Sequence, residues 1–341
     1  MTIGRGTSGN GFSRRKFLAN TSALGAVSFL GLSRTAKGDP VPETTSIRLV
    51  RSPAICFAPQ YLAEELLRLE GFTEVTYVEL KSDFALNALA AGQVDFSMDA
   101  SPTVVYLLDG GKPVVTLAGI HAGCYELFAN ERVHSIRDLK DKDIAISAFG
   151  GADHVLLSSM LAYVGIDPRK GVKWITGKSV VAMDFFAEGK ADAFMGFAPQ
   201  PQELRARKIG HVVINTTQDR PWSQYFCCVV SANQEFVARY PVATKRALRA
   251  YLKAADICAA EPERVAQYLV AKGYEPRYEI GLEVLKSLPY KRWREADPED
   301  TLRFHALRLH EVGMTKSKPQ QFIAQHTDWR FLNELKKELK A

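Results

Sequence analysis

The chain has 341 residues, 46% of them hydrophobic and 24% charged, with a formal net charge of +6. This is ordinary globular composition, with length for about two domains and ample core for both, which sets aside a disordered or fibrous chain. Part of the positive charge sits early (Arg5, Arg14, Arg15, Arg34, Lys37) and at the end (Lys336, Lys337, Lys340). The body carries no Lys/Arg stripe interleaved with aromatics, which argues against nucleic-acid binding.

Ser13-Arg14-Arg15-Lys16-Phe17-Leu18 precedes a moderately apolar run from Ala19 to Leu32. A basic segment followed by a short apolar one is the layout of a secretory signal, and paired arginines followed by Phe-Leu resemble a twin-arginine translocation signal. The run contains Asn20, Thr21, Ser22 and Ser28 and falls short of the ~18 apolar residues of a spanning helix. The alternative is an amphipathic, mitochondrial-type leader. Gly31-Leu32-Ser33 and Ala36 offer small residues for cleavage, and no cysteine follows the run to carry a lipid anchor. Residues 1–40 are therefore expected to be leader and linker. The mature protein is expected in the periplasm, with the twin-arginine translocase as its partner during export.

The five cysteines are Cys56, Cys124, Cys227, Cys228 and Cys258. An oxidising destination permits disulfides, but a protein exported folded must form in a reducing cytoplasm, so few or none are expected. Cys227 and Cys228 would point to opposite sides of a strand. No C-x-x-C occurs, and no spacing signals zinc or thioredoxin-like chemistry.

Along the mature chain, Ser46–Val50 alternates as a first strand. A loop containing Cys56 and Phe57 then feeds a helix from Gln60 to Glu70 with Tyr61, Leu62, Leu66 and Leu69 on one face. Val75–Leu80 reads as a strand, Phe84–Ala91 as a short helix and Val94–Met98 as a strand. Ser101 is an N-cap candidate with Pro102 in the first turn of a helix ending near Gly110-Gly111. Val114–Ile120 and Glu126–Asn130 are strands. The pattern then repeats in kind: strand Asp143–Ser147, a Phe149-Gly150-Gly151-Ala152 loop, helix Asp153–Val164, strand Val172–Thr176, helix Val180–Glu188, strand Ala191–Gly196, a helix to Arg207 and strand Val212–Ile214. Tyr225–Val230 is a last strand, and from Glu235 the pattern is helical, with helix starts at Pro241, Pro262 and Pro298. Two β/α runs of similar size predict two α/β lobes, each with a largely parallel sheet.

Four segments carry a resemblance. Ala88-Leu89-Ala90-Ala91-Gly92-Gln93-Val94-Asp95-Phe96 resembles an A-L-x-x-G-x-V-D-F helix–strand unit. Gly111-Lys112-Pro113-Val114 matches G-x-P-V. Ile136 to Ala145 matches I-x-D-L-K-G-K-x-I-A with Asp141 in place of the glycine, and Phe186 to Ala193 matches L-x-x-G-x-V-D-A. In this order they resemble the solute-binding proteins of nitrate/sulfonate/taurine-type ABC importers, over about Ser46 to Ala260. Leu69-Glu70-Gly71-Phe72 departs from the usual Gly-Phe-Phe, as does the Cys56-Phe57 loop. The resemblance implies a two-lobed periplasmic-binding-protein fold of type II. Its parts would be residues 45–125 and 225–341 in lobe one and 126–224 in lobe two, hinged near Tyr125–Asn130 and Gln218–Phe226. It implies a small-molecule ligand, an ABC permease and its ATPase as partners, a monomeric state, and no metal or cofactor.

Ligands of open α/β sheets sit beyond the carboxyl ends of the strands. The expected ligand-binding residues are Phe57, Gln60, Asp99, Ser101, Cys124, Gly150, Gly151, Ala152 and Trp222. Two helix starts, after Ser101 and after Gly150, would suit a sulfonate, nitrate or carboxylate. Alternatively the glycines only make a tight turn. Asp99 and Asp153, if both line the cleft, would favour a cationic or neutral ligand. His121 and His154 flank cleft loops and are read first as structural. Neither H-E-x-x-H, G-x-S-x-G, a P-loop nor G-x-G-x-x-G occurs, so no enzyme is expected. The alternative is a protein of thiamine metabolism, either a pyrimidine-precursor binder or a synthase like the yeast-type enzyme, whose C-C-C-F-C cluster is mostly missing at Phe226-Cys227-Cys228. A ligand-sensing adaptor would share the same fold.

Overall fold

Short apolar strands, most of them followed by a helix, build two five-stranded sheets in the computed structural model of the protein, which describes residues 40–52, 54–80 and 85–340. The leader expected in residues 1–39 lies outside the described residues. The first sheet and its helices are β1 (Ser46–Arg51), α1 (Ala58–Leu69), β2 (Glu74–Glu79), α2 (Ala85–Ala90), β3 (Phe96–Ala100), α3 (Ser101–Leu108) and β4 (Val114–Ala122). The second comprises β5 (Tyr125–Ala129), β6 (Asp143–Ile146), α4 (Ala152–Tyr163), β7 (Lys173–Thr176), α5 (Ser179–Ala187), β8 (Ala193–Phe197), α6 (Gln200–Ala206) and β9 (His211–Asn215). A single turn at Trp222–Gln224 leads back to β10 (Phe226–Asn233), which joins the first sheet. The helices α7 (Gln234–Arg239), α8 (Pro241–Ala260), α9 (Pro262–Ala271), α10 (Tyr278–Ser287), α11 (Pro298–Glu311), α12 (Pro319–His326) and α13 (Arg330–Glu338) follow.

Strand order is β2-β1-β3-β10-β4 in the first sheet and β7-β6-β8-β5-β9 in the second. β1 runs parallel to β2 and β3, and β6 parallel to β7 and β8. β10 is antiparallel to both its neighbours, as is β5 to its own. The sheets are thus mixed, and the reversed strand in each is the one arriving from the other half of the chain. The parallel strands end at the cleft between the lobes. β5 and β10 begin there, so they must run the other way.

β4 and β10 are buried along their whole length, which explains their near-continuous apolar runs in place of alternation. α8 packs along α1, and its Arg249 and Lys253 hold the buried Glu70 carboxylate at the end of α1 (2.9 and 3.2 Å). Those contacts lower the Glu70 pKa against the opposing effect of burial. α11 packs on both α3 and α4, so one C-terminal helix bridges the lobes. Among the described residues no helix is long and apolar enough to cross a membrane.

Candidate ligand cleft and thiol cluster

The carboxyl ends of β1, β3, β6 and β8 converge on a cavity of about 600 Å³. Arg51, Asp99 and Thr103 line it from the first lobe. Ser147, Gly151, Asp153 and Lys178 line it from the second, and Cys56, Cys124 and Cys228 form its floor. A further cavity of about 780 Å³ lies among α6, β9 and α10 and also reaches Cys56 and Cys124. It is edged by an ion chain in which Arg205 joins Glu126 (2.6 Å) and Glu283 (3.2 Å). The first cavity is the candidate site, because the strand ends and the first turns of α3 and α4 meet there.

Of the residues expected at the ligand, Phe57, Asp99, Cys124, Gly151 and Ala152 line this cavity, whereas Gln60, Ser101, Gly150 and Trp222 do not. Gln60 is wholly buried; its Nε2 donates to Val50 O (2.6 Å) and its Oε1 accepts from Met98 N (2.8 Å), which ties β1 to β3. Ser101 is not an N-cap. It is the first residue of α3, with Ala100 at the cap, and its hydroxyl donates to Phe226 O (2.6 Å). Gly150 adopts φ +82° and donates its N–H to His154 Nδ1 (3.1 Å). Burial pushes His154 down to about 4, so the ring is a neutral acceptor. Trp222 packs between Tyr163 and Phe304 (ring centroids 5.3 and 6.0 Å), beside a small cavity near His305.

The two aspartates have different environments. Asp153 sits in the first turn of α4. It accepts from Ser147 N (2.5 Å), Ser147 Oγ (2.8 Å) and His154 N (2.9 Å), so burial, which raises its pKa, is opposed by three hydrogen bonds. Asp99 is buried at the end of β3. Its Oδ2 has no hydrogen bond and its Oδ1 has a long contact from Ser97 Oγ (3.4 Å), and the Ser231 and Ser97 hydroxyls nearby oppose the effect of burial. Burial lifts its pKa to about 7.

Sequence reasoning did not assemble the floor. The Cys124 and Cys227 sulfurs are 2.6 Å apart and the Cys227 and Cys228 sulfurs 4.0 Å apart, with all five cysteines as thiols. The Cys56 and Cys228 sulfurs and a His121 ring nitrogen lie within 4.8 Å of one another, as do the sulfurs of Cys124, Cys227 and Cys228. The neighbouring Cys124, Cys228 and His121 side chains hold the Cys56 thiol well below the usual range, against the opposing effect of burial. Burial pushes Cys124 and Cys228 well up. The residues are distant in sequence; β4 pairing with β10 brings His121 beside Cys228, and the turn at Ile55–Phe57 adds Cys56.

Residues 69–265, more than half of the chain, match the model of the family described as NMT1/THI5 like. The chain belongs to the NMT1/THI5-like family. None of the curated proteins matches the chain in sequence. Among solved structures, the periplasmic nitrate-binding protein NrtA of Synechocystis PCC 6803 matches with a TM-score of 0.71 at 16% identity, over 88% of this chain and 90% of that one. The alkanesulfonate-binding protein SsuA of Xanthomonas axonopodis pv. citri, bound to MOPS, matches with a TM-score of 0.68 at 15% identity, over 84% of this chain and 99% of that one. A Candida albicans protein described as exhibiting the generic periplasmic binding protein fold matches with a TM-score of 0.66 at 12% identity, over 83% and 96%. At these identities the likeness shows the fold. This member of the NMT1/THI5-like family therefore has the two-lobed periplasmic-binding-protein fold, as its four sequence motifs implied.

Proposed function

We propose that this protein is an extracytoplasmic solute-binding protein that captures a small anion, a sulfonate, nitrate or carboxylate, and delivers it to an ABC importer. The observation that carries this reading is the convergence of two helix starts and two cations, Arg51 and Lys178, on one cleft between lobes. Helix starts present unpaired N–H groups and about half a positive charge. Asp153 answers part of that at α4, whereas the start of α3 has no side-chain cap and is left for a ligand. Asp99, with a pKa near 7, is protonated in mildly acidic solution and then donates a hydrogen bond to an anion instead of repelling it. The two crossings between lobes act as a hinge, and closure on the ligand would present a surface to the permease. The leader fits delivery to the periplasm by the twin-arginine route. The acting species is a monomer.

The test is a thermal-shift screen of the purified protein against sulfonates, carboxylates, nitrate, amines and neutral heterocycles. A ligand at 100 times its dissociation constant stabilises by ~2.7 kcal/mol, a readily measured rise. Stabilisation by anions supports the reading. Stabilisation only by amines or neutral heterocycles would mean that ionised Asp99 reads the ligand, and the anion assignment falls.

A further inference from the structure

The geometry points to a thiophilic metal site in the floor of the cleft, in which Cys56, Cys124, Cys228 and His121 hold one zinc-class d10 cation. Tetrahedral zinc with sulfur and imidazole ligands has Zn–S near 2.3 Å and Zn–N near 2.0 Å, which sets its ligand atoms about 3.4–3.8 Å apart. The Cys56–His121–Cys228 trio already lies within 4.8 Å, atom to atom, with all three residues buried. The Cys124 sulfur lies within 4.8 Å of that of Cys228 and Cys124 borders the cleft, so a turn of its side chain away from Cys227 would close the set from the cleft side.

His121 is set up as a ligand. It is fully buried, and its Nδ1 lies 3.0 Å from Gly123 O. A carbonyl only accepts, so Nδ1 carries the proton and Nε2 keeps its lone pair. That Nε2 is buried with no hydrogen-bond partner. A backbone carbonyl that fixes the tautomer of a ligating imidazole is the usual outer-shell arrangement of metal sites. Three soft thiols and one imidazole select zinc-like cations over magnesium or calcium, which take oxygen ligands. Cys56 and Cys124 border both large cavities, so an ion has a route in. The ligands come from the first loop, β4, the first crossing and β10, so a bound ion would fasten the crossing to lobe one.

The full chain, purified anaerobically with reductant and stripped with a chelator, is titrated with Co²⁺ and then Zn²⁺. The expected result is one equivalent of cobalt, with thiolate-to-cobalt charge-transfer absorption and tetrahedral d–d bands, displaced by one equivalent of zinc. X-ray absorption of the zinc form should fit three sulfurs and one nitrogen. Cys56→Ser, Cys228→Ser and His121→Gln should each weaken zinc binding by at least about tenfold, while Cys258→Ser, a buried thiol outside the cluster, leaves it unchanged. Circular dichroism identifies any variant that fails to fold, and the wild-type absorption spectrum decides in that case. Absence of stoichiometric binding, or a zinc shell of oxygen and nitrogen alone, overturns the site. An anion-binding cleft is tested separately by the ligand screen, so either result leaves the other intact.

Discussion

Thr216 and Tyr125 are joined three times. The Thr216 hydroxyl donates to the Tyr125 carbonyl (2.8 Å) and accepts from the Tyr125 amide (3.0 Å), and the Thr216 amide donates to that same carbonyl (3.0 Å). The hydroxyl also accepts from Cys124 N (3.1 Å). Tyr125 follows the first crossing between lobes and Thr216 opens the second, so one buried hydroxyl ties the crossings side by side. The two crossings therefore form a paired strap, not two independent linkers.

Thr216→Val keeps the shape of the side chain and removes the hydroxyl, leaving the Cys124 and Tyr125 amides without that acceptor in a buried place. An unsatisfied buried donor costs about 1–3 kcal/mol, and a loss of that size is expected in urea unfolding. An unchanged unfolding free energy would show that the crossings are held elsewhere.

At Gly123, beside this strap, the backbone has φ +61° and an added Cβ would lie 2.4 Å from Thr217 Cα. Gly123→Ala combines a left-handed backbone, worth roughly 1–2 kcal/mol against an L residue, with a clash against the second crossing. It should cost more than Thr216→Val in the same assay. A smaller loss would mean that the crossings separate easily.

Asp99 should make stability depend on pH. Its folded pKa of about 7 stands above the ordinary unfolded value near 3.9. Between those two values the folded state holds the proton while the unfolded state has lost it. Stability is therefore fully present below about pH 4, falls as pH rises and levels off above about pH 7. The ceiling on this effect is on the order of 4 kcal/mol. Asp99→Asn should flatten the slope. Equal slopes in urea unfolding of the two proteins across that range would show that Asp99 is ionised throughout.

Much of the fold was legible because its signals are local. Pro59, Pro102, Pro241, Pro262 and Pro298 all stand in the first turn of helices, and the strand runs around Ile47, Val75, Phe96, Ile144 and Phe194 each become strands. The reversed direction of β5 and β10 was not legible, since direction depends on which end of a strand meets the cleft. The site was legible only where it follows from strand ends, as at Asp99 and Gly151. Gln60 and Ser101 also lie in the first turns of helices that follow strands, but they turn inward, because buried main-chain groups at Val50, Met98 and Phe226 need partners. The thiol cluster was invisible to spacing rules, because its members lie on the first loop, β4 and β10 and meet only across the sheet.

Export is testable from the first forty residues alone. If the paired arginines are read by the twin-arginine translocase, Arg14→Lys with Arg15→Lys should leave full-length precursor in the cytoplasm, measured by fractionation and immunoblotting. Normal periplasmic accumulation of the double variant would point to a different export route.

Gly151 tests the placement of the ligand most directly. It is the N-cap of α4 with φ −64°, a backbone any residue adopts, so a substitution there does not strain the chain. A Cβ would nevertheless stand 2.8 Å from Asp153 Oδ1 and 3.0 Å from both Ala148 O and Ser147 Oγ, where the loop, the helix start and the cleft meet. Gly151→Asp would set a second carboxylate beside Asp153 and bring negative charge to the helix end expected to face the anion. Ligand affinity should fall at least about 100-fold, a loss of about 2.7 kcal/mol, by titration calorimetry with an anion found in the screen. Circular dichroism should remain that of the folded protein. Because Gly151 lines the cavity between the strand ends, unchanged affinity in a folded variant would move the ligand out of that cavity, and the helix starts would then serve the fold alone.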